Sequence, residues 1–324
     1  MNQSKSMLKK NIVVIGGGNG GAISVAALKQ NAELFNISAV VGMTDSGGSS
    51  GKLRTEYEML PPGDIMRVVL AMSCFDYPIL KNIFYSQRFS GLGELDTHNL
   101  GNLFLFFVWQ KTGNFIKAVR ALEQSVGAVG QAFPNILEQA HLVAELTGGQ
   151  IIKTEAAIDK PAYDRSLQIK KVWLEPKVEA YSEAIKTIAA ADQIILGPGS
   201  LYTSIIATIL PKGIKQAIAE NKKARLIYVI GNACHTDGET GPKDVAGVVK
   251  ALDSYLPRPL DLIIYNESKL TAPQKKKYTR KGWTLLQDNG NLLGKRLLRA
   301  NYELNAGGVC PIKLGRILKK ILCK

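Results

Sequence analysis

Cysteine is scarce in this 324-residue chain. Cys74, Cys234, Cys310 and Cys323 lie far apart and form no CxxC pair. That excludes a disulfide-stapled scaffold and predicts a reduced, cytoplasmic setting. The three histidines, His98, His141 and His235, are too widely spaced for a zinc site of ordinary pattern. Long hydrophobic runs are missing too. Residues 103–109 make the longest strongly apolar run near a helix, whereas a bilayer needs about 20, so no transmembrane segment is expected. Residues 1–10 are polar and carry Lys5, Lys9 and Lys10, and the apolar run behind them breaks at Gly16, which is not the pattern of a signal peptide. There are no internal repeats, low-complexity tracts or linkers rich in Pro, Gly or Ser. Aromatic residues are few, 7% of the chain, and they do not interleave with the late basic clusters (Lys275, Lys276, Lys277, Arg280, Lys281, then Lys295, Arg296, Arg299, then Arg316, Lys319, Lys320). A net charge of +14 therefore reads as a solvated basic face and not as a stacking platform for nucleic acid. Any nucleic-acid binding is expected to be unspecific and salt-sensitive.

What is present is glycine and hydroxyl at the ends of apolar runs. Residues 11–15 read as a buried parallel strand. Gly16, Gly17, Gly18, Asn19, Gly20 and Gly21 follow, then a helix predicted over 22–30. Gly16, Gly18 and Gly21 satisfy G-x-G-x-x-G, a weak fingerprint by itself. A second strand leads into residues 42–67, the stretch around which the chain is organised. In one loop it offers Asp45, Ser46, Gly47, Gly48, Ser49, Ser50, Gly51, Lys52 and Arg54. Glycines let a backbone approach a ligand, and hydroxyls and cations suit phosphate oxygens. Pro61-Pro62-Gly63-Asp64 builds a second turn, with Asp64 as cap of a helix over 65–73 and Arg67 one turn later, spaced to pair with it. Helices are predicted at 77–87, 103–110 and 115–125, with His98 and Asn99 leading into the second. Between 126 and 176 short β-prone runs (128–133, 141–146, 168–174) predict a β-rich subdomain within one α/β domain covering 1–324. The α/β rhythm then returns: strands at 193–196, 225–230 and 260–265, helices at 181–190, 203–210 and 245–252. Gly197, Pro198, Gly199 and Ser200 form a second glycine turn before Thr203, and the strand at 225–230 ends near Asn232. In an open parallel sheet such loops gather at the carboxyl edge, where ligands bind.

These motifs together, I-V-V-I-G-G-G at 12–18, D-S-G-G-S-S-G-K-L-R at 45–54, L-P-P-G-D-I at 60–65, H-N-L-G-N-L at 98–103 and G-P-G-S-L-Y-T-S-I at 197–205, resemble the family that joins the bacterial gluconeogenesis factor, YvcK, to CofD, the 2-phospho-L-lactate transferase. Gly47-Gly48-Ser49-Ser50-Gly51 is closer to the gluconeogenesis-factor branch. The resemblance implies a Rossmann-like, mostly parallel sheet flanked by helices. It implies a UDP-sugar ligand such as UDP-N-acetylglucosamine, and a regulator of morphogenesis and cell-wall synthesis under gluconeogenic growth. Carried over by position, Gly16, Gly17, Gly18 and Asn19 would line the nucleotide, Asp45, Ser46, Gly47, Gly48, Ser49 and Ser50 the sugar-phosphate region, and Gly197, Pro198, Gly199, Ser200 and Thr203 would close the pocket, with Asp64, Arg67, His98, Asn99 and Asn232 nearby. The transferase branch implies the alternative: an enzyme moving a phospholactyl group from a guanosine-linked donor to a deazaflavin, with Asp45 and Asp64 as catalytic carboxylates and Asp45 holding Mg2+. A nicotinamide oxidoreductase rests on the glycine fingerprint alone. The chain departs from the family at Asn19, usually Thr, at Ser46, usually Asp, and within Asn232-Ala-Cys-His-Thr-Asp-Gly-Glu-Thr240, which matches the family run at its two ends. A homo-oligomer is left open.

Overall fold

Every pairing in the main sheet is parallel, and its strands are almost wholly apolar because helices cover both faces. In the computed structural model, which describes residues 8–231, 233–290, 292 and 296–323, the first unit is β1 (Lys10–Ile15), α1 (Gly18–Lys29) and β2 (Phe35–Val41). Helices α2 (Gly48–Tyr57), α3 (Gly63–Met72), α4 (Tyr77–Lys81), α5 (Leu100–Thr112) and α6 (Phe115–Ser125) precede β3 (Gly130–Pro134). The chain then leaves the sheet for β4 (His141–Leu146), β5 (Ile151–Lys153), the short α7 (Glu155–Asp159) and β6 (Ile169–Glu175). It returns through α8 (Ser182–Ala189) to β7 (Gln193–Leu196), a π-helical turn over Leu201–Ile206 that continues as α9 (Ala207–Ile209), α10 (Ile214–Glu220), β8 (Arg225–Ile230), β9 (Ala233–His235), α11 (Val245–Asp253), β10 (Leu262–Asn266), α12 (Ala272–Arg280), β11 (Trp283–Leu285), β12 (Leu297–Ala300) and α13 (Pro311–Leu322).

The main sheet has the order β12-β10-β8-β7-β1-β2-β3. Its central strand is β7, and next to it β1 has Val14 opposite Ala39 of β2 on one side and Ile195 of β7 on the other. The strand order runs from β1 to β2 and β3 in one direction, then resumes with β7 on the far side of β1. Between β1 and β7 lies the topological switch point, where an open α/β sheet leaves a crevice. Both glycine turns end there. Gly16 stands beside Gly197, and the Ser24 hydroxyl of α1 donates to the Gly197 carbonyl at 2.6 Å. Gly20 lies so close to the Pro198 carbonyl that a Cβ there would overlap it. Apart from this sheet, β5-β4-β6 make a small antiparallel sheet and β9 with β11 a two-stranded ribbon. The fold is thus the expected Rossmann-like α/β arrangement.

Three local expectations need correction. Residues 45–54 are not one loop, because α2 starts at Gly48. Its sequence has no apolar stripe; only Ser49, Ser50, Leu53 and Arg54 are buried, so tertiary contacts hold a helix that periodicity does not announce. Asp64 does not cap its helix: the cap position is Pro62, and Asp64 sits inside the first turn. The predicted helix over 77–87 divides into α4 and a π-helical turn at Asn82–Ser86. By contrast, Asn99 caps α5, its Oδ1 accepting the Asn102 amide at 2.8 Å, which starts that helix three residues earlier than expected. Among the described residues no helix is long and apolar enough to cross a membrane.

Candidate functional site

Loops after β1, β2 and β7 meet the first turn of α7 beside the switch point. Between them is a small cavity of about 10 Å³, lined by Gly17, Gly42, Thr44, Asp45, Asp64, Glu155, Thr203 and Ser204. That is room for one water-sized group. A Cβ at position 17 would stand 2.5 Å from Asp64 Oδ2 and displace that carboxylate.

Asp64 accepts from Arg67 Nη1 at 2.8 Å, the i,i+3 pair that their spacing predicts. Burial raises its pKa to about 6, opposed by Arg67 and assisted by Asp45, while the Gly18 amide bonds the carboxylate. Arg67 in turn lies over the Tyr85 ring, 4.5 Å from its centroid. Across the cavity Glu155 is pushed up to about 8, first by burial and then by Asp45, Asp159 and Asp64. Asp159 is raised by burial as well. Several carboxylates thus share a desolvated space, and the site favours a cation or a hydrogen-bond donor over a bare anion. Asp45 Oδ1 accepts the Gly47 amide at 2.9 Å, which shapes the turn into α2.

The serines of the glycine–serine loop are turned toward protein. Ser46 Oγ accepts the Ala156 amide at 2.9 Å, and the Ser46 amide donates to Glu155 Oε2 at 3.3 Å. This reciprocal pair ties the loop to the first turn of α7. Asn102 Nδ2 donates to Ser49 Oγ, and the Ser49 hydroxyl is also hydrogen-bonded to His98 Nδ1, both at 2.8 Å. Burial lowers the His98 pKa. Ser50 Oγ accepts the Gly63 amide at 3.1 Å. Arg54 is buried and donates to the carbonyls of Thr44 and Ala140, so it braces the loop and is not a phosphate ligand.

The structure therefore brings Gly17, Asp45, Asp64 and Thr203 to one cavity. Asn19, Gly48 and Gly199 are exposed on the rim, with Ser200 half-buried beside them. Gly16, Gly18, Gly197 and Pro198 form the buried backing, and His98, Asn99, Ser49 and Ser50 a buried polar layer behind α2. Asn232 lies outside the described residues. Sequence reasoning missed Glu155. Its one local signal is Thr154 followed by an acid, a helix start whose Thr154 hydroxyl accepts the Ala157 amide; nothing in it says that the acid faces a loop 110 residues earlier.

The chain's relatives agree with this architecture. Residues 12–301 match the family described as 2-phospho-L-lactate transferase CofD. The gluconeogenesis factor of Bacillus subtilis is 35% identical over 272 residues, 83% of each chain. That of Halalkalibacterium halodurans is 37% identical over 235 residues, 72% of this chain and 70% of the relative. A crystal structure of a Bacillus halodurans protein, described as a member of the UPF0052 family, superposes with a TM-score of 0.86 at 30% identity, covering 96% of this chain and 99% of that one. With its parallel sheet, its paired glycine turns and these relatives, the chain belongs to the CofD family, alongside the gluconeogenesis factors.

Proposed function

We propose that this protein is a cytoplasmic regulator that binds a nucleotide sugar of the UDP type, with a role in cell-wall synthesis and cell shape during gluconeogenic growth. The observation that carries the reading is the meeting of three strand-end loops on one acid-lined cavity at the switch point. The cavity admits a single small group, such as a hydroxyl, so a nucleotide would lie across the rim at Asn19, Gly199 and Ser200. Binding without turnover is favoured by Ser46. Its hydroxyl oxygen accepts the Ala156 amide, and the residue that follows Asp45 in the sequence carries no charge. Gripping substrate and transition state equally gives affinity without rate.

Magnesium fits as an auxiliary ion. Among the described residues no three His, Cys, Asp or Glu side chains are grouped to hold a metal, but Mg2+ keeps several waters and asks for only one or two carboxylates. Asp45 Oδ2 lies near Gly63 and Asp64 Oδ2 near Gly17, and these two carboxylates would hold it. The ion would neutralise diphosphate charge, and the chain's own residues would orient the ligand.

The direct test is calorimetry and thermal shift with UDP-N-acetylglucosamine, UDP-glucose, GDP and NAD. At 100 times its dissociation constant, a UDP-sugar should stabilise the fold by about 2.7 kcal/mol. Absence of heat with both UDP-sugars at millimolar concentration refutes the reading. Two variants sharpen it. Asn19→Ala, on the rim, should weaken binding and leave the melting temperature near wild type. Arg67→Ala removes the partner of a mostly buried carboxylate whose side chain is only 18% exposed, and should lower stability by about 2 kcal/mol as well as affinity. Equal melting losses in the two variants would contradict this assignment.

A further inference from the structure

The helix that follows the second glycine turn already has an anion at its N-terminus. Glu239 reaches it from the loop between β9 and α11. Its carboxylate accepts the Tyr202 amide at 3.2 Å and the Thr203 amide at 3.0 Å, and the Leu201 amide also bonds it. These are the orphan donors that open a helix; burial raises the Glu239 pKa and their three hydrogen bonds oppose that rise, so a carboxylate in their midst is a charge-assisted cap. The same loop is anchored on its other side. Thr240 Oγ1 and the Tyr163 hydroxyl bond at 2.9 Å, and the Thr240 carbonyl accepts the Ile169 amide at 3.1 Å, so the residue next to Glu239 is tied to the small sheet. Thr203 and the adjacent Ser204 line the acid cavity.

We propose that Glu239 is a positioning residue of the candidate site: its carboxylate, and not a ligand phosphate, satisfies the amides of Leu201, Tyr202 and Thr203, and so fixes the Thr203–Ser204 wall of the cavity. The second glycine turn is then closed to phosphate. Ligand phosphates stay on the side of α1 and the rim, and Gly197 to Ser200 contribute shape and close approach only. The sequence hint is Gly238-Glu239-Thr240, an end of the run whose match to the family had no assigned use. The effect on nucleotide affinity rests on the UDP-sugar reading, whereas the closure of the turn to phosphate does not.

The experiment uses the full chain and needs no nucleotide for its first arm. Glu239→Ala removes the two terminal carbons of the side chain, and acetate restores them. The variant should melt below wild type, with faster amide exchange at 201–203, and acetate should recover both. Inorganic phosphate should slow exchange at the same amides in Glu239→Ala and leave wild type unchanged. Failure of acetate to rescue, or equal protection of wild type by phosphate, overturns the proposal. In the second arm UDP-N-acetylglucosamine affinity should fall about tenfold in Glu239→Ala and return with acetate. Affinity that stays at wild-type level overturns the positioning role. A wild type that binds no UDP-sugar refutes the functional reading, and the proposal is then decided by the first arm. Should Glu239→Ala fail to fold, Glu239→Gln carries the test. It keeps one accepting oxygen and loses the charge, so exchange should quicken at 201–203 and nowhere else, and unchanged exchange there overturns the assignment.

Discussion

Arg54→Ala is expected to destabilise the protein by about 3 kcal/mol, the loss found when a buried charged donor is removed from its acceptors. Arg54 is 4% exposed. It donates to the Thr44 carbonyl at 3.1 Å, to the Ala140 carbonyl, and through Nε to Gln139 Oε1 at 3.1 Å. Truncation leaves those buried carbonyls without this donor. It also removes the cation that faces Asp45 and Glu155, the two carboxyl groups that oppose the lowering of its pKa by burial. Both effects converge on one loop, because Thr44 and Asp45 line the cavity. For a chain of this size the loss corresponds to a fall in melting temperature of roughly 4 °C. Lys52, on the same helix and exposed, is the control; Lys52→Ala should change stability by less than about 0.5 kcal/mol. Differential scanning calorimetry of the two variants decides it, and a loss for Arg54→Ala no greater than for Lys52→Ala would contradict the bracing role.

The contrast between these two cations shows where the sequence is legible. Both stand in the same polar stretch, and composition alone suits both to phosphate. Burial separates them, and no periodicity in α2 announces which side faces inward. Strand ends were readable, because β1, β7 and β8 are short β-branched runs closed by glycine or a polar turn, and a parallel sheet buried on both faces permits little else. From those ends the gathering of loops at the switch point follows by topology. The acids that arrive from elsewhere were not readable. Glu155 comes from α7, a five-residue helix between β5 and β6, and Glu239 from the loop between β9 and α11. Each is placed by long-range contacts, with Ser46 and with Thr203, that leave no mark in neighbouring residues. The serines show the reverse error. Ser49 and Ser50 have the composition of a phosphate loop, yet their hydroxyls serve His98, Asn102 and Gly63.

Stability should fall as pH rises from 6 to 8, by roughly 2 kcal/mol from Glu155 alone. Its folded pKa, about 8, lies above the ordinary value of 4.5. Between those values the native state holds a proton that the unfolded chain has released, so each rise in pH favours unfolding until the native carboxyl also ionises. The loss therefore begins above pH 4.5 and is complete above pH 8. The cause is structural: burial comes first, then the negative charges of Asp45, Asp159 and Asp64. Asp64, raised to about 6 from 3.8, adds a loss of the same sign at lower pH. Glu155→Gln should flatten the curve between pH 6 and 8 and leave that variant the more stable protein at pH 8, since an amide oxygen still accepts the Ser46 amide without bringing a charge. The measurement is urea unfolding at pH 6, 7, 8 and 9 in EDTA, wild type against Glu155→Gln. A bound cation would reverse the effect in the wild type by stabilising the ionised carboxylates, so added magnesium should restore stability at pH 8 and change little at pH 5. Wild-type stability that holds or rises between pH 6 and 8 in EDTA would show that the acids around the cavity are already compensated, and the electrostatic account of the site would fall with it.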